Sequence, residues 1–282
     1  MDFTLKQYTN LLNSLKGAGH LFQTFEDFLQ NPFEKVIILR HDVDLRAQNS
    51  LATAQIESSL GIKGSYYFRI VKESNNPEII RQIAELGHEI GYHYETMDSK
   101  SSEFRILSSE FKERLVDAAY EEFCRNLEYF KTLYPIKTVC MHGSPLSKYD
   151  NRDIWTKYDY KSLGLIGEPY FDVDFTKVLY LTDTGRRWNG EKVSVRDKVQ
   201  TSDIRHQASD KNSVNCQLLT VNVSFKHTKD IIKAAEESLL PNQIMITVHP
   251  QRWNDNKLLW LKELVMQNIK NIIKWGLVKI RK

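Results

Sequence analysis

Short apolar runs alternate with amphipathic stretches of helical period along almost the whole chain. Residues 3–16 read as an N-terminal helix, with Leu5, Tyr8, Leu12 and Leu15 on one face before the breaker Gly17-Ala18-Gly19. The run Val36-Ile37-Ile38-Leu39 follows, a strand buried on both faces that ends abruptly in Arg40-His41-Asp42-Val43-Asp44. A helix through Leu51, Ala52, Ile56 and Leu60 leads to a strand at 65–70. Asn76-Pro77-Glu78 then starts a helix, with Asn as N-cap and Pro at the first helical position. That helix ends at Gly87 and feeds a strand at 89–94. A helical stretch over 103–133 stops before Pro135, and 136–141 is the next strand. The stretch 145–215 is less regular, with Val178-Leu179-Tyr180-Leu181 its clearest β-like run. Regular elements return as a strand at 218–223, a helix at 228–239, a strand at 244–248 and a helix at 256–275. The last is expected to turn Leu258, Leu261, Val265, Ile269 and Ile272 inward.

Strand and helix in alternation, without a Pro/Gly/Ser linker or repeat, predict a parallel α/β sheet with right-handed crossovers. A chain of 282 residues is long enough for one large α/β domain over 1–282, with a length that fits a (β/α) barrel better than an open sheet. The net charge of +3 does not by itself point to nucleic acid or a membrane surface. Cys124, Cys140 and Cys216 show no CxxC spacing, which suits a reducing compartment and argues against a disulfide framework or a thiolate zinc site. No secretory signal and no apolar run of about 18 residues is visible, so a cytoplasmic protein without a membrane span is expected.

The chemistry collects at strand ends, where α/β folds hold their ligands. Asp42 and Asp44 lie two residues apart and project to one side of an extended strand. Two adjacent carboxylates repel unless a cation or shared proton compensates, although a polar turn with a capping Asp gives the same letters. Five of the eight histidines (His41, His88, His93, His142 and His249) also fall at strand ends. Singly each is a structural histidine more often than not; together with carboxylates they suggest a metal or acid/base site. A His/carboxylate set suits one divalent ion, Zn²⁺ first, with Mn²⁺, Fe²⁺ or Co²⁺ as alternatives.

His41-Asp42-Val43-Asp44, Gly87-His88-Glu89-Ile90-Gly91-Tyr92-His93, His142-Gly143-Ser144-Pro145, Trp188 and Val248-His249-Pro250 resemble the ordered motifs of the polysaccharide deacetylases. This is the carbohydrate esterase family 4, or NodB-homology, superfamily, and the likeness spans residues 35–253. It implies an α/β fold of distorted (β/α)7-type barrel, mostly parallel strands with helices outside. It also implies Asp42 as general base, Asp44 and His93 as metal ligands and His249 as general acid. The sequence departs from the family in two places. Val43 separates the two acids, so base and ligand can exchange, and Met97 stands where a second metal-binding His is usual. The third ligand is then His142 or, on the same strand face as His93, Glu95, with His142 preferred. These changes resemble a branch associated with surface-polysaccharide biosynthesis.

Tyr180-Leu181-Thr182-Asp183-Thr184-Gly185-Arg186-Arg187-Trp188 offers Asp183 to hold a catalytic partner, Arg187 to read an anionic or carbonyl group, and Trp188 to stack on a sugar face. A strand with a Gly turn and solvated arginines explains the same residues. The expected function is metal-dependent deacetylation of an N-acetylated sugar, with a carbohydrate substrate as partner and no nucleic acid. The alternative is a non-catalytic carbohydrate-binding or scaffold protein that has lost a complete metal site.

Overall fold

The computed structural model describes residues 1–101, 109–143, 149–188 and 225–280. Its centre is a parallel sheet of β1 (Leu21–Gln23), β2 (Val36–Val43), β3 (Ser65–Phe68), β4 (Glu89–Tyr94), β5 (Val139–Met141), β6 (Leu179–Thr182) and β7 (Gln243–Val248). Neighbours run in the order β5-β4-β3-β2-β7-β6, and β1 adds to β2 beside its first half, below β3. The sheet curls into a half-barrel with helices around it, a distorted (β/α) barrel. β2 is buried along its whole length, as its unbroken apolar run requires of a strand with helices on one side and barrel interior on the other.

The period of two divides β2 between two environments. Ile37 and Leu39 pack outward against α1 (Leu5–Gly17) together with Tyr8, Leu11, Leu12 and Leu15. Ile38 packs inward with Phe25, Tyr67, Cys140 and Met245. Arg40 and Asp42 continue the inward row, whereas His41 continues the outward one. Helix α4 (Pro77–Glu85) starts as expected, Asn76 Oδ1 accepting from Glu78 and Ile79 N–H at 3.1 and 3.2 Å. It ends on Gly87, whose φ of +89° is the left-handed cap that lets β4 begin two residues later.

Several elements depart from the pattern-based expectation. The short β1 and α2 (Phe25–Gln30) were not foreseen, because three residues are too few to show a period. Of the helix expected over 103–133, the described part is α6 (Ser109–Lys131), and α5 (Thr96–Ser101) lies before it in the chain. The strand expected at 218–223 lies outside the described residues. The buried side of α3 (Ala47–Ser59) includes Ser50, Thr53 and Glu57 beside Leu51 and Ala54, a polar lining that hydrophobicity alone misplaces. The C-terminal helix, Lys257–Ile280, is reversed: Leu258 and Ile272 are 79% and 70% exposed, while Gln267 faces the barrel.

Gly91 is required by close approach. A Cβ on Gly91 would fall 2.3 Å from Tyr67 Cε1 and 3.0 Å from the Thr138 carbonyl oxygen. The Tyr67 ring cannot swing away freely, because its hydroxyl bonds Thr138 Oγ1 at 2.8 Å. Gly91→Ala is therefore expected to destabilise the protein by about 2 kcal/mol through overpacking, read as a lower urea midpoint at unchanged slope.

Candidate active site

The register explains how residues far apart in sequence reach one mouth. Asp42 pairs with Tyr67, Tyr67 with Gly91, and His93 with Cys140, so the inward rows of four strands rise together. Asp44 and His142 follow directly at the C-terminal ends of β2 and β5, and His249 follows β7.

Asp44 is the centre of this group. Its Oδ1 lies 3.7 Å from His93 Nε2 and 3.6 Å from His142 Nε2, and its Oδ2 lies 3.9 Å from His249 Nε2. Gln251 Nε2 donates to Oδ2 at 3.3 Å. Burial raises the Asp44 pKa, but His142, His249, His93 and Arg69 outweigh it and hold the carboxyl far below its usual range. Oδ1 is nevertheless buried with no hydrogen-bond donor against it among the described residues.

Each imidazole is oriented from behind. His93 Nδ1 meets the Cys140 carbonyl oxygen at 2.9 Å, a contact it makes as donor, which leaves the Nε2 lone pair facing Asp44. Burial drives the His93 pKa down to about 4, with Asp42 opposing, so the ring is neutral at neutral pH. His142 Nδ1 lies 3.0 Å from Glu95 Oε2, off the line of a good hydrogen bond. Burial lowers the His142 pKa, yet Asp44 and Glu95 reverse the balance and raise it. Glu95 is itself gripped by Arg69, whose Nε and Nη2 reach its oxygens at 2.6 to 3.0 Å. A carboxylate committed in this way is better placed to orient His142 than to replace it.

Asp42 has both oxygens occupied by Arg40, Nε to Oδ1 at 2.8 Å and Nη2 to Oδ2 at 2.7 Å. Arg40 is 1% exposed and also lies over the rings of Tyr67 and Tyr170. Burial favours the neutral Asp42 carboxyl, but Arg40 and His93 win and its pKa falls. The pair is local, since Arg40 and Asp42 are two residues apart on one strand face; only the inward direction of that face was unknown.

Opposite them, Asp183 holds His249. Its main-chain N–H donates to the Thr247 carbonyl at 3.2 Å, extending the pairing of β6 with β7 by one residue. The carboxylate then accepts from His249 Nδ1 at 2.6 Å, from the His249 N–H at 3.0 Å, from Arg252 Nη1 at 2.6 Å and from Trp253 Nε1 at 2.8 Å. Burial opposes ionisation, but Arg252 and His249 overcome it and bring the Asp183 pKa down to about 2. The Nδ1 contact leaves His249 Nε2 directed at Asp44.

Not every expected residue arrives here. His41 lies on the outer face of β2, with Nε2 2.9 Å from Glu57 Oε1 and its ring stacked on Tyr66 at 3.9 Å. His88 precedes β4 and so sits at the far end of the sheet, taking Gly64 N–H on Nδ1 and meeting the Ala54 carbonyl through Nε2. The alternation of a strand removes one and its direction removes the other. Trp188 is used in packing rather than as an open platform: it lies against Phe3 and Trp253, and its Nε1 donates to Thr228 Oγ1 at 3.0 Å. Arg187 is half-buried in the same turn. Arg40, Arg69, Gln251 and Arg252 were not singled out from the sequence.

Among the described residues, Asp42, His93 and Cys140 each offer one ligand atom within 4.8 Å of the others, a buried group able to bind a metal ion. Cys140 enters through its register opposite His93, which its isolated place in the sequence conceals. A second set, Asp44, His93 and His142, shares His93 and contains the orphaned Asp44 Oδ1. Two imidazoles and a carboxylate suit a borderline divalent ion, and none of the three is clamped by a guanidinium as Asp42 is. The residues therefore fit a metal.

No helix of the described residues is long and apolar enough to cross a membrane. No family model and no curated protein sequence matches the chain. A solved structure similar to it is that of a BA3943 mutant, a CE4 family pseudoenzyme with restored enzymatic activity, at 10% identity and a TM-score of 0.42. The match covers 85% of this chain and 65% of that neighbour, whose length the chain therefore only partly spans.

Proposed function

We propose that the protein is a metal-dependent deacetylase of an N-acetylated sugar, using Asp44, His93 and His142 as ligands, Asp42 as general base and His249 as general acid. The observation that supports it is the orphaned Asp44 oxygen facing two imidazole Nε2 atoms, with a third imidazole, backed by Asp183, across the mouth. A bound divalent ion would supply Lewis-acid polarisation of the acetyl carbonyl and a more acidic water.

The side chains do the rest. Arg40 fixes the Asp42 carboxylate in one orientation and keeps it ionised, so that it can accept a proton from water at Oδ2, 3.8 Å from His93 Nε2. Asp183 holds His249 by Nδ1, which stabilises the imidazolium and aims the Nε2 proton at a leaving amine. Arg69 and Glu95 keep the His142 ring from turning away. Asp183 is a positioning residue in this scheme.

Acetate release from N-acetylated sugar nucleotides and short N-acetylated glycans by the metal-loaded protein tests the reading. Turnover is expected with the parent protein and its loss with His249→Ala. Asp183→Asn is expected to lower kcat by about 10²- to 10⁴-fold at unchanged metal content, with a shifted alkaline limb of the pH profile. Sugar binding and full metal occupancy without acetate release from any of these substrates would overturn it in favour of a non-catalytic carbohydrate-binding protein.

A further inference from the structure

The helix Lys257–Ile280 presents an apolar face to the outside. Thirteen large hydrophobic side chains are exposed among the described residues, and eight of them lie on this helix: Leu258, Leu259, Leu261, Val265, Met266, Ile269, Ile272 and Ile273. Leu258, Leu261, Val265, Ile269 and Ile272 recur at three- and four-residue spacing, one continuous stripe on a helix. The inward side is polar and occupied: Glu263 lies 3.7 Å from Arg46, Trp260 Nε1 donates to the Asp2 carbonyl and Asn271 donates to the Gly185 carbonyl. The outward stripe is therefore not a core face displaced by a small rotation.

Charge identifies the occupant. From residue 257 to the end, six lysines and one arginine stand against a single acid, Glu263, which is the one already bound to Arg46. Lys257, Lys262 and Lys270 are exposed beside the stripe. A second copy would bring the same lysines face to face, whereas a bilayer with acidic headgroups accepts the apolar stripe and neutralises its cations together. We infer that this helix lies on an anionic membrane surface, embedded along one face without crossing. Its inward contacts follow the C-terminal ends of β2 and β6, so binding brings the mouth of the barrel toward the surface. The inference stands on the helix and holds whichever reaction the mouth performs.

Sedimentation of the full chain with vesicles decides it. With phosphatidylcholine containing 30% phosphatidylglycerol, most of the protein is expected in the pellet at low salt, at least tenfold more than with phosphatidylcholine alone. Val265→Glu/Ile269→Glu should stay in the supernatant with an unchanged melting temperature, and Lys262→Glu/Lys270→Glu should lose the preference for anionic vesicles. Equal partition between the two vesicle types, a protein that stays soluble with both, or a stable dimer that the Glu variants dissolve while vesicle binding is absent, would overturn it.

Discussion

Asp44→Ala is expected to remove the bound metal. After dialysis against a divalent salt and then buffer, elemental analysis should give near one ion per parent chain and less than a tenth of that for the variant. Acetate release should fall with it. The reason is geometric: Asp44 Oδ1 is the atom common to the His93 and His142 contacts, and no other described donor reaches it. Glu95→Gln should weaken metal binding by about 10- to 100-fold, because it loosens the His142 ring without removing a ligand. Cys140→Ser separates the two candidate sets. Loss of the ion there, with retention in Asp44→Ala, would reassign it to Asp42, His93 and Cys140.

The second large effect concerns stability. Glu57 is fully buried on α3, and its Oε1 receives Tyr8 Oη at 2.6 Å and Tyr66 Oη at 2.8 Å, with His41 Nε2 at 2.9 Å. One carboxylate thereby ties α1, α3, β2 and β3 together. Glu57→Ala takes the shared carboxylate acceptor from two phenols and an imidazole in a dry site, leaving them only their contacts to Thr53, Ser65 and one another, and is expected to cost about 3–5 kcal/mol. For a chain of this size that is a fall of about 10 °C in melting temperature. Tyr8→Phe removes a single donor and should cost about 1–2 kcal/mol. Metal content should be unchanged in both, because the network lies on the opposite face of β2 from the mouth.

This carboxylate also sets an acid limit. Burial raises the Glu57 pKa, but His41 and its hydrogen bond, His88 and Tyr8 lower it below its usual value. A group depressed in the folded state stabilises fully above its unfolded pKa, about 4.3, and the benefit is lost as pH falls through the folded value. Asp183 adds about 2 kcal/mol of the same sign, lost between about pH 4 and its folded value of about 2. Urea midpoints should therefore drop steeply below about pH 4.5 in the parent. The drop should be shallower in Glu57→Gln, which has no such proton to take up.

The main alternation of strands and helices, the cap at Asn76, the stop at Gly87 and the placement of Asp42 and Asp44 on one side of their strand were legible in the amino-acid sequence. Each rests on interactions within a few residues: a period of two or 3.6, a side chain reaching its own backbone, a glycine at positive φ. The neighbours of those residues were not legible. His41 and His88 carry the same letters as His93, yet face the outer helix and the far end of the sheet, because direction and parity along a strand acquire meaning only once the barrel interior is fixed. The pairing of Asp183 with His249, and of Cys140 with His93, depends on register between strands separated by long stretches of chain. The last helix shows the limit most plainly. Its apolar stripe was read as core by period alone, but the side against the barrel is decided by Arg46, Asp2 and Gly185, which bind polar partners and leave the hydrophobic face outside.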